Sequence, residues 1–284
     1  MERDATPLGI IAGAGALPLT VAKSAAAAGR SVYTLRLKGF DNPSLDAYPG
    51  EVVGLGEVGR AIKLLKAVGV EDLVICGIVN RPDFGAIRFD LQGAKLLPKL
   101  ISAAREGDDA LLRVVLSTFE KAGFRVLAPD AITDGLSAGR GLLAGPEPSA
   151  ENWSDLRRAA DIAAAIGQED IGQGCVVCRG LVLAVEAQEG TDAMLQRVRD
   201  LPAAIRGAHE NLAGVLVKRP KPIQERRVDL PVVGAQTIER AHEAGLAGVG
   251  VFVGEALILD APEIYDRANA LDVFLYGLHE DDMA

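Results

Sequence analysis

The stretch 218–231, KRPKPIQERRVDLP, gathers Lys218, Arg219, Lys221, Arg226 and Arg227 within ten positions and then places Asp229 beside them. Clustered cations neutralise phosphate oxygens, and arginine does so bidentately. A carboxylate next to that charge can orient water or hold a divalent metal. Pro220 and Pro222 restrict the loop and lower the entropy cost of holding one shape. Taken alone, the stretch also fits a solvated loop.

A second group lies about thirty residues upstream in LVLAVEAQEGTDAML. An apolar run leads into Glu186, Gln188, Glu189, Gly190, Thr191 and Asp192, and a helical pattern follows. Acids at the C-terminal end of a strand, next to a new helix N-terminus, are the usual furniture of ligand crevices in α/β sheets. Thr191 as an N-cap and Asp192 as a dipole-matching acid are compatible with that role. Gln173, between Gly172 and Gly174, suggests a close backbone approach to a ligand.

The third candidate is GIIAGAGALP, a glycine-rich turn that would aim backbone N–H groups at phosphate from a helix end. Gly13 and Gly15 match the first two positions of the dinucleotide fingerprint, but Pro18 stands where its third glycine belongs. No acid ends the next strand, TLRLKGF, although Arg36 and Lys38 could accept a 2′-phosphate. Asp108 and Asp109 follow Gly107 at a helix start, where capping and dipole pairing explain them.

Other chemistries are poorly supplied. Cys175 and Cys178 form a CxxC, but inside an apolar strand-like run with no second pair, so they read as small buried hydrophobes, as does Cys76. His209, His242 and His279 form no HxH or HExxH arrangement. A net charge of -9 lacks the basic field that nucleic-acid binding needs, so an anionic ligand must be held locally. The start MERDATPLGIIAGAGALP lacks a signal-peptide pattern, no run is long enough to span a membrane, and three cysteines suit a reducing cytoplasm.

The elements that must position these residues alternate. LGIIAG, SVYTLRL, DLVICGIV and FRVLAP read as strands, separated by helices over LPLTVAKSAAAAG, VGRAIKLLKAVG, GAKLLPKLISAAR and DDALLRVVLSTFEKAG. That alternation predicts a Rossmann-like parallel sheet over residues 1–134. Residues 135–150 have the Gly, Ser, Ala and Pro content of a linker. A mixed α/β domain over 151–284 opens with the helix ENWSDLRRAADIAAAIG, capped at Asn152 or Ser154. The closely spaced runs in GCVVCRGLVLAVEA predict a hairpin turning at Arg179-Gly180. Helices over TDAMLQRVRDL, AQTIERAHEAG and PEIYDRANAL then alternate with strands over AGVLVK, GVGVFVG, ALILD and DVFLYG.

Together the segments IAGAGALP, RPDF, GDDALLR, DIGQG, LVLAVEAQEGTDAML, KPIQERRVDLPVVG and GLAGVGV resemble LpxI, the family of UDP-2,3-diacylglucosamine pyrophosphatases of lipid A biosynthesis. They run through nearly the whole chain in order. The resemblance implies hydrolysis of a nucleotide sugar to UMP and lipid X, the diacylated sugar 1-phosphate. It also implies two domains with the ligand in the cleft between them, dependence on Mg2+ (or Mn2+), a cytoplasmic location with peripheral contact at the inner membrane, and a homodimer. The acid of the RVDLP motif falls on Asp229 as the catalytic residue, with Asp229 and Asp192 as candidate metal ligands. Substrate contacts fall on Gly13, Ala14 and Gly15, on Gln173, on Glu186, Glu189, Gly190, Thr191 and Asp192, and on Lys218, Lys221 and Gln224. The acyl chains need apolar surface, and the sequence offers no separate amphipathic anchor for them. The alternatives are an NADP-linked oxidoreductase, on the glycine turn and Arg36, and a non-catalytic nucleotide-sugar-binding protein.

Overall fold

Leu8–Ala12 (β1) is buried at every position, as a strand covered on both faces must be. It lies at the centre of a parallel five-stranded sheet with Val32–Leu37 (β2), Gly50–Val53 (β3), Asp72–Cys76 (β4) and Arg125–Leu127 (β5), in the order β3-β2-β1-β4-β5. The structure is a computed structural model that describes residues 6–40, 42–80, 83–222 and 224–283. Arg81 and Pro82 of the RPDF motif and Ile223 of KPIQ lie outside the described residues. The helices of this half are Leu17–Ala27 (α1), Val58–Ala67 (α2), Leu91–Glu106 (α3) and Asp108–Lys121 (α4). Strand β3 has no counterpart in the sequence reading. It is a four-residue edge strand with Glu51 and Val52 exposed, too short and too wet to show a period.

The second half is mixed, as expected. Gly141–Ala144 (β6), Gly174–Cys178 (β7), Leu181–Val185 (β8), Val215–Lys218 (β9), Gly248–Phe252 (β11) and Phe274–Leu278 (β13) form one sheet, ordered β6-β13-β11-β9-β7-β8. Strands β13, β11 and β9 are parallel, while β6, β7 and β8 join antiparallel. Val232–Val233 (β10) and Leu257–Ile258 (β12) pair separately. Ala150–Gln168 (α5) covers one face, packing Leu156, Ala159 and Ala163 with Cys175, Val177 and Val217. Gly190–Arg199 (α6), Ala235–Glu243 (α7) and Ala261–Ala270 (α8) contribute to a separate core that takes in the alternate strand residues Val176, Leu216, Val249 and Leu275. This is the period-2 division of a sheet buried on both sides.

Several local expectations change. Residues 135–150, expected as a linker, hold β6, whose Gly141, Leu142 and Ala144 register with β13. Glycine-rich composition misread a short edge strand as a connector. The cap of α5 is Ser149, not Asn152 or Ser154: Ser149 Oγ accepts from Asn152 N at 3.1 Å, and Asn152 closes the capping box. The β7–β8 hairpin does turn at Arg179 and Gly180, with φ of 50° and 74°. Asp155 on α5, 1% exposed, accepts from both turn amides at 2.8 and 2.7 Å.

The chain forms two compact units. One runs to Asp134 and takes in Glu225–Asp229; the other comprises Gly135–Gln224 and the residues from Leu230. The 218–231 stretch therefore divides between them. Among the described residues, no helix is long and apolar enough to cross a membrane.

Candidate active site

In the second unit, one end of the sheet assembles most of the polar residues singled out in the sequence. Lys218, the last residue of β9, registers with Gly174 at the start of β7, and Glu186 follows β8 with its N–H on Gly174 O at 2.8 Å. Glu186 is 6% exposed. Its Oε1 accepts from the Thr191 hydroxyl at 3.0 Å, while its Oε2 is buried with no hydrogen-bond partner among the described residues. Gly172 and Gly174 are required by Glu186 itself. A Cβ on Gly172 would lie 2.0 Å from Glu186 O, and one on Gly174 would lie 2.4 Å from Glu186 Oε2. The close approach read around Gln173 is thus an approach to Glu186, to its backbone at Gly172 and to its carboxylate at Gly174.

Thr191 does not cap α6. The cap position is Glu189, without a side-chain cap bond, and the Thr191 hydroxyl instead orients Glu186. Gly190 opens the helix at φ 79°, a left-handed conformation that glycine adopts without Cβ strain. The Glu189 carboxyl is held below its ordinary value, first by backbone N–H donation and then by the Arg197 guanidinium. Asp192, more than half exposed, pairs with Arg240 at 3.3 Å.

The basic loop is ordered by its own neighbours. Lys218 is 6% exposed and donates to Val232 O at 3.1 Å. Lys221 pairs with Asp170 at 2.5 Å. Gln224 accepts from Lys221 N at 2.8 Å and donates to the Gln173 side chain at 3.3 Å. Gln173 O in turn accepts from Arg219 N at 2.9 Å, and the Arg219 guanidinium lies 4.3 Å over the Phe252 ring. Asp170, which anchors Lys221, was not singled out in the sequence, because fifty-one positions separate the pair.

The first unit holds the remaining candidates. In the Gly13–Gly15 turn, Gly13 N donates to Cys76 O at 2.9 Å and Ala14 N to Ile78 O at 3.0 Å. A donor array for phosphate would therefore begin at Gly15 and the uncapped first turn of α1. Asn42, nearly buried, donates to Gly13 O and Gly15 O at 3.2 and 2.9 Å and fixes the turn's shape. Arg36, which kept an NADP reading open, is paired with Asp46.

Asp229 sits at the end of the five-residue excursion 225–229, whose residues dock on α4. Asp109, 4% exposed, accepts from Glu225 N at 2.6 Å and pairs with Arg113 at 2.9 Å. It is an anchor for this segment, whereas the sequence suggested capping and dipole pairing; the cap position of α4 is Gly107. Arg227 bridges Glu225 at 2.9 Å and Glu120 at 2.5 Å, so it is committed to carboxylates rather than offered to phosphate. Val228 packs on the unit's core, and Asp229 N donates to Glu225 O at 3.1 Å.

Burial raises the Cys76 and Cys175 thiols to about 12, and Cys178 shifts the same way for the same reason. These are inert core residues, as read from the sequence.

Among the described residues, no group of three His, Cys, Asp or Glu side chains is close enough to hold a metal ion. A hard cation such as Mg2+ commonly takes one or two carboxylates, with substrate phosphates and waters completing its shell. The available donors are carboxylate oxygens, including the orphaned Glu186 Oε2, and that chemistry fits such an ion.

Comparison with known proteins agrees with this layout. Residues 7–136 match the LpxI N-terminal domain and residues 139–276 the LpxI C-terminal domain. The chain is 52% identical over 271 residues to a Caulobacter vibrioides protein named UDP-2,3-diacylglucosamine pyrophosphatase LpxI, covering 95% of this chain and 97% of that one. The chain belongs to the LpxI family.

Proposed function

We propose that this protein hydrolyses the pyrophosphate of UDP-2,3-diacylglucosamine, releasing UMP and 2,3-diacylglucosamine 1-phosphate in lipid A biosynthesis. The observation that carries this reading is the sheet end built from Lys218, Glu186 and Thr191, in a chain whose relative bears that activity as its name. A buried carboxylate oxygen with no partner calls for a cation or a hydroxyl donor.

Hydrolysis adds water across the anhydride: one P–O bond forms, the bridging P–O bond breaks, and the two protons of water pass to the two phosphate monoesters or, above their second pKa, to solvent. The protein's task is charge neutralisation and positioning. Lys218 neutralises phosphate oxygens, while Lys221, held by Asp170, braces that loop together with Gln173 and Gln224. Glu186, Glu189, Gly190 and Thr191 bind the nucleotide and sugar. The turn at Gly13, Ala14 and Gly15 adds backbone donors from Gly15 and the first turn of α1, since the Gly13 and Ala14 amides are already bonded. Asp229 acts on the attacking water and accepts its proton. Asp229 and Asp192 are the carboxylates that would hold Mg2+ or Mn2+. When bound, such an ion supplies neutralisation of the anhydride oxygens and a more acidic water. A homodimer working at the inner-membrane face completes the reading.

The test is UMP release from UDP-2,3-diacylglucosamine with magnesium. Asp229→Ala is expected to lose turnover while keeping substrate affinity. Wild-type turnover by that variant would remove Asp229 from the chemistry, and absence of UMP from the unaltered enzyme would remove the activity.

A further inference from the structure

The first unit contains an apolar cavity of about 180 Å³ that none of the residues above accounts for. Its sheet-side lining is Ile11, Leu37, Val53 and Ile75, which lie at the C-terminal ends of β1, β2, β3 and β4. Ligands of open parallel sheets bind at that edge. Ala61, Leu100 and Phe119, all nearly buried, close the inner end from α2, α3 and α4, while Val79 is 40% exposed at the mouth.

Among the described lining residues, Glu57 and Thr118 alone carry polar side chains, and both are occupied. Glu57 accepts from Gly54 N at 2.7 Å and pairs with Arg60, and the Thr118 hydroxyl donates to Val114 O at 2.8 Å. The described walls therefore offer a ligand hydrocarbon contact. Close-packed interiors do not keep a void of this size without cost. A dry apolar cavity of about 150 Å³ suffices to take benzene.

Its position links it to the proposed chemistry. Ile11 stands two residues before the Gly13 turn. Helix α4, whose Val115 and Phe119 line the cavity, also anchors the Asp229 segment through Asp109. We propose that this cavity receives the terminal methylenes of one acyl chain of the substrate and so sets the preferred chain length. The assignment rests on the lipid-linked substrate proposed above.

Two experiments test it. In the first, a substrate analogue carrying a photoreactive group at the acyl terminus is cross-linked to the intact protein and the adduct mapped by mass spectrometry. Adducts on residues 53–61, 84–89 or 96–119, or on Ile11, Leu37, Ile75 or Val79, support the assignment; adducts confined elsewhere overturn it, whether or not the analogue is hydrolysed. In the second, Ala61→Phe and Val115→Phe fill the cavity from two different helices. Each buried methylene contributes about fourfold in affinity. Either variant is expected to lower the ratio of kcat/KM for long-chain over short-chain substrate by about tenfold or more. An equal loss on both substrates, or an unchanged ratio in both variants, would overturn the chain-length role. Failure of the unaltered enzyme to release UMP from any chain length would refute the proposed activity, while the cross-link position still decides the cavity.

Discussion

Replacing Asp109 by alanine isolates the anchor of the segment that carries Asp229. Asp109 is 4% exposed and accepts the Glu225 N–H at 2.6 Å, a hydrogen bond to a charged group contributing about 1.5–3 kcal/mol. Its ion pair with Arg113 adds little, at most about 0.5 kcal/mol, because the Arg113 side chain is 55% exposed. Losing about 2–3 kcal/mol reduces the docking equilibrium constant of residues 225–229 by roughly 30- to 140-fold. Hydrogen exchange read by mass spectrometry should show the Glu225–Asp229 amides exchanging faster by up to that factor. The remaining contacts, Val228 on the core and Arg227 on Glu120, keep the segment from detaching altogether. Turnover should fall on the order of tenfold or more, with KM changed less, because the acid is mispositioned rather than the substrate lost. Asp109→Asn keeps an acceptor oxygen and should recover most of the protection and rate. Unchanged exchange in Asp109→Ala would refute the anchoring argument; a rate loss without an exchange change would place Asp109 in the chemistry itself. The Glu225 carboxyl adds a pH signature. Arg227 holds it below its ordinary value of 4.5, so its contribution is present above pH 4.5 and is lost as pH falls through the lower folded-state value. Exchange in this segment should therefore accelerate in acid beyond the intrinsic rate.

Asp155→Ala should lower stability by about 2–3 kcal/mol in urea unfolding with an unchanged slope, since it removes two charge-assisted bonds to the Arg179 and Gly180 amides. Gly172→Ala places a Cβ 2.0 Å from Glu186 O, so the β8–α6 turn must move; kcat/KM should fall by about tenfold to a hundredfold, and an unaltered value would separate Glu186 from the site. Cys76, Cys175 and Cys178 should resist a thiol reagent at pH 8 in the native protein and all react after unfolding, because burial holds the Cys76 and Cys175 thiols at about 12 and raises Cys178 as well.

The elements with strong periodicity were legible from residue order. Strand β1, the hairpin at Arg179-Gly180 and helices α2 and α4 follow from apolar spacing and turn chemistry, which are local properties. The exceptions are informative. Strand β3 and strand β6 are four residues each, and what makes them strands is the neighbouring strand they pair with. Ser149 was passed over as a cap because several polar residues nearby are equally suited, and only the backbone direction chooses among them.

The candidate site divides in the same way. The sequence alone determined the types of group present: a cation cluster, a carboxylate after it, acids at a strand end, and no histidine or cysteine constellation. Residue type and spacing along the chain carry that information. Tertiary structure decided which of those groups are committed elsewhere. Arg227 is held by Glu225 and Glu120, Arg36 by Asp46, and Lys221 by Asp170, whereas Glu186 keeps an oxygen without a partner among the described residues. Tertiary structure also decided that residues 225–229 leave one unit for the other and dock on α4. It did the same for the apolar cavity at the edge of the parallel sheet, whose walls come from four strands and three helices. Pairings across 51 to 116 positions depend on how elements close in space, and no local pattern encodes them.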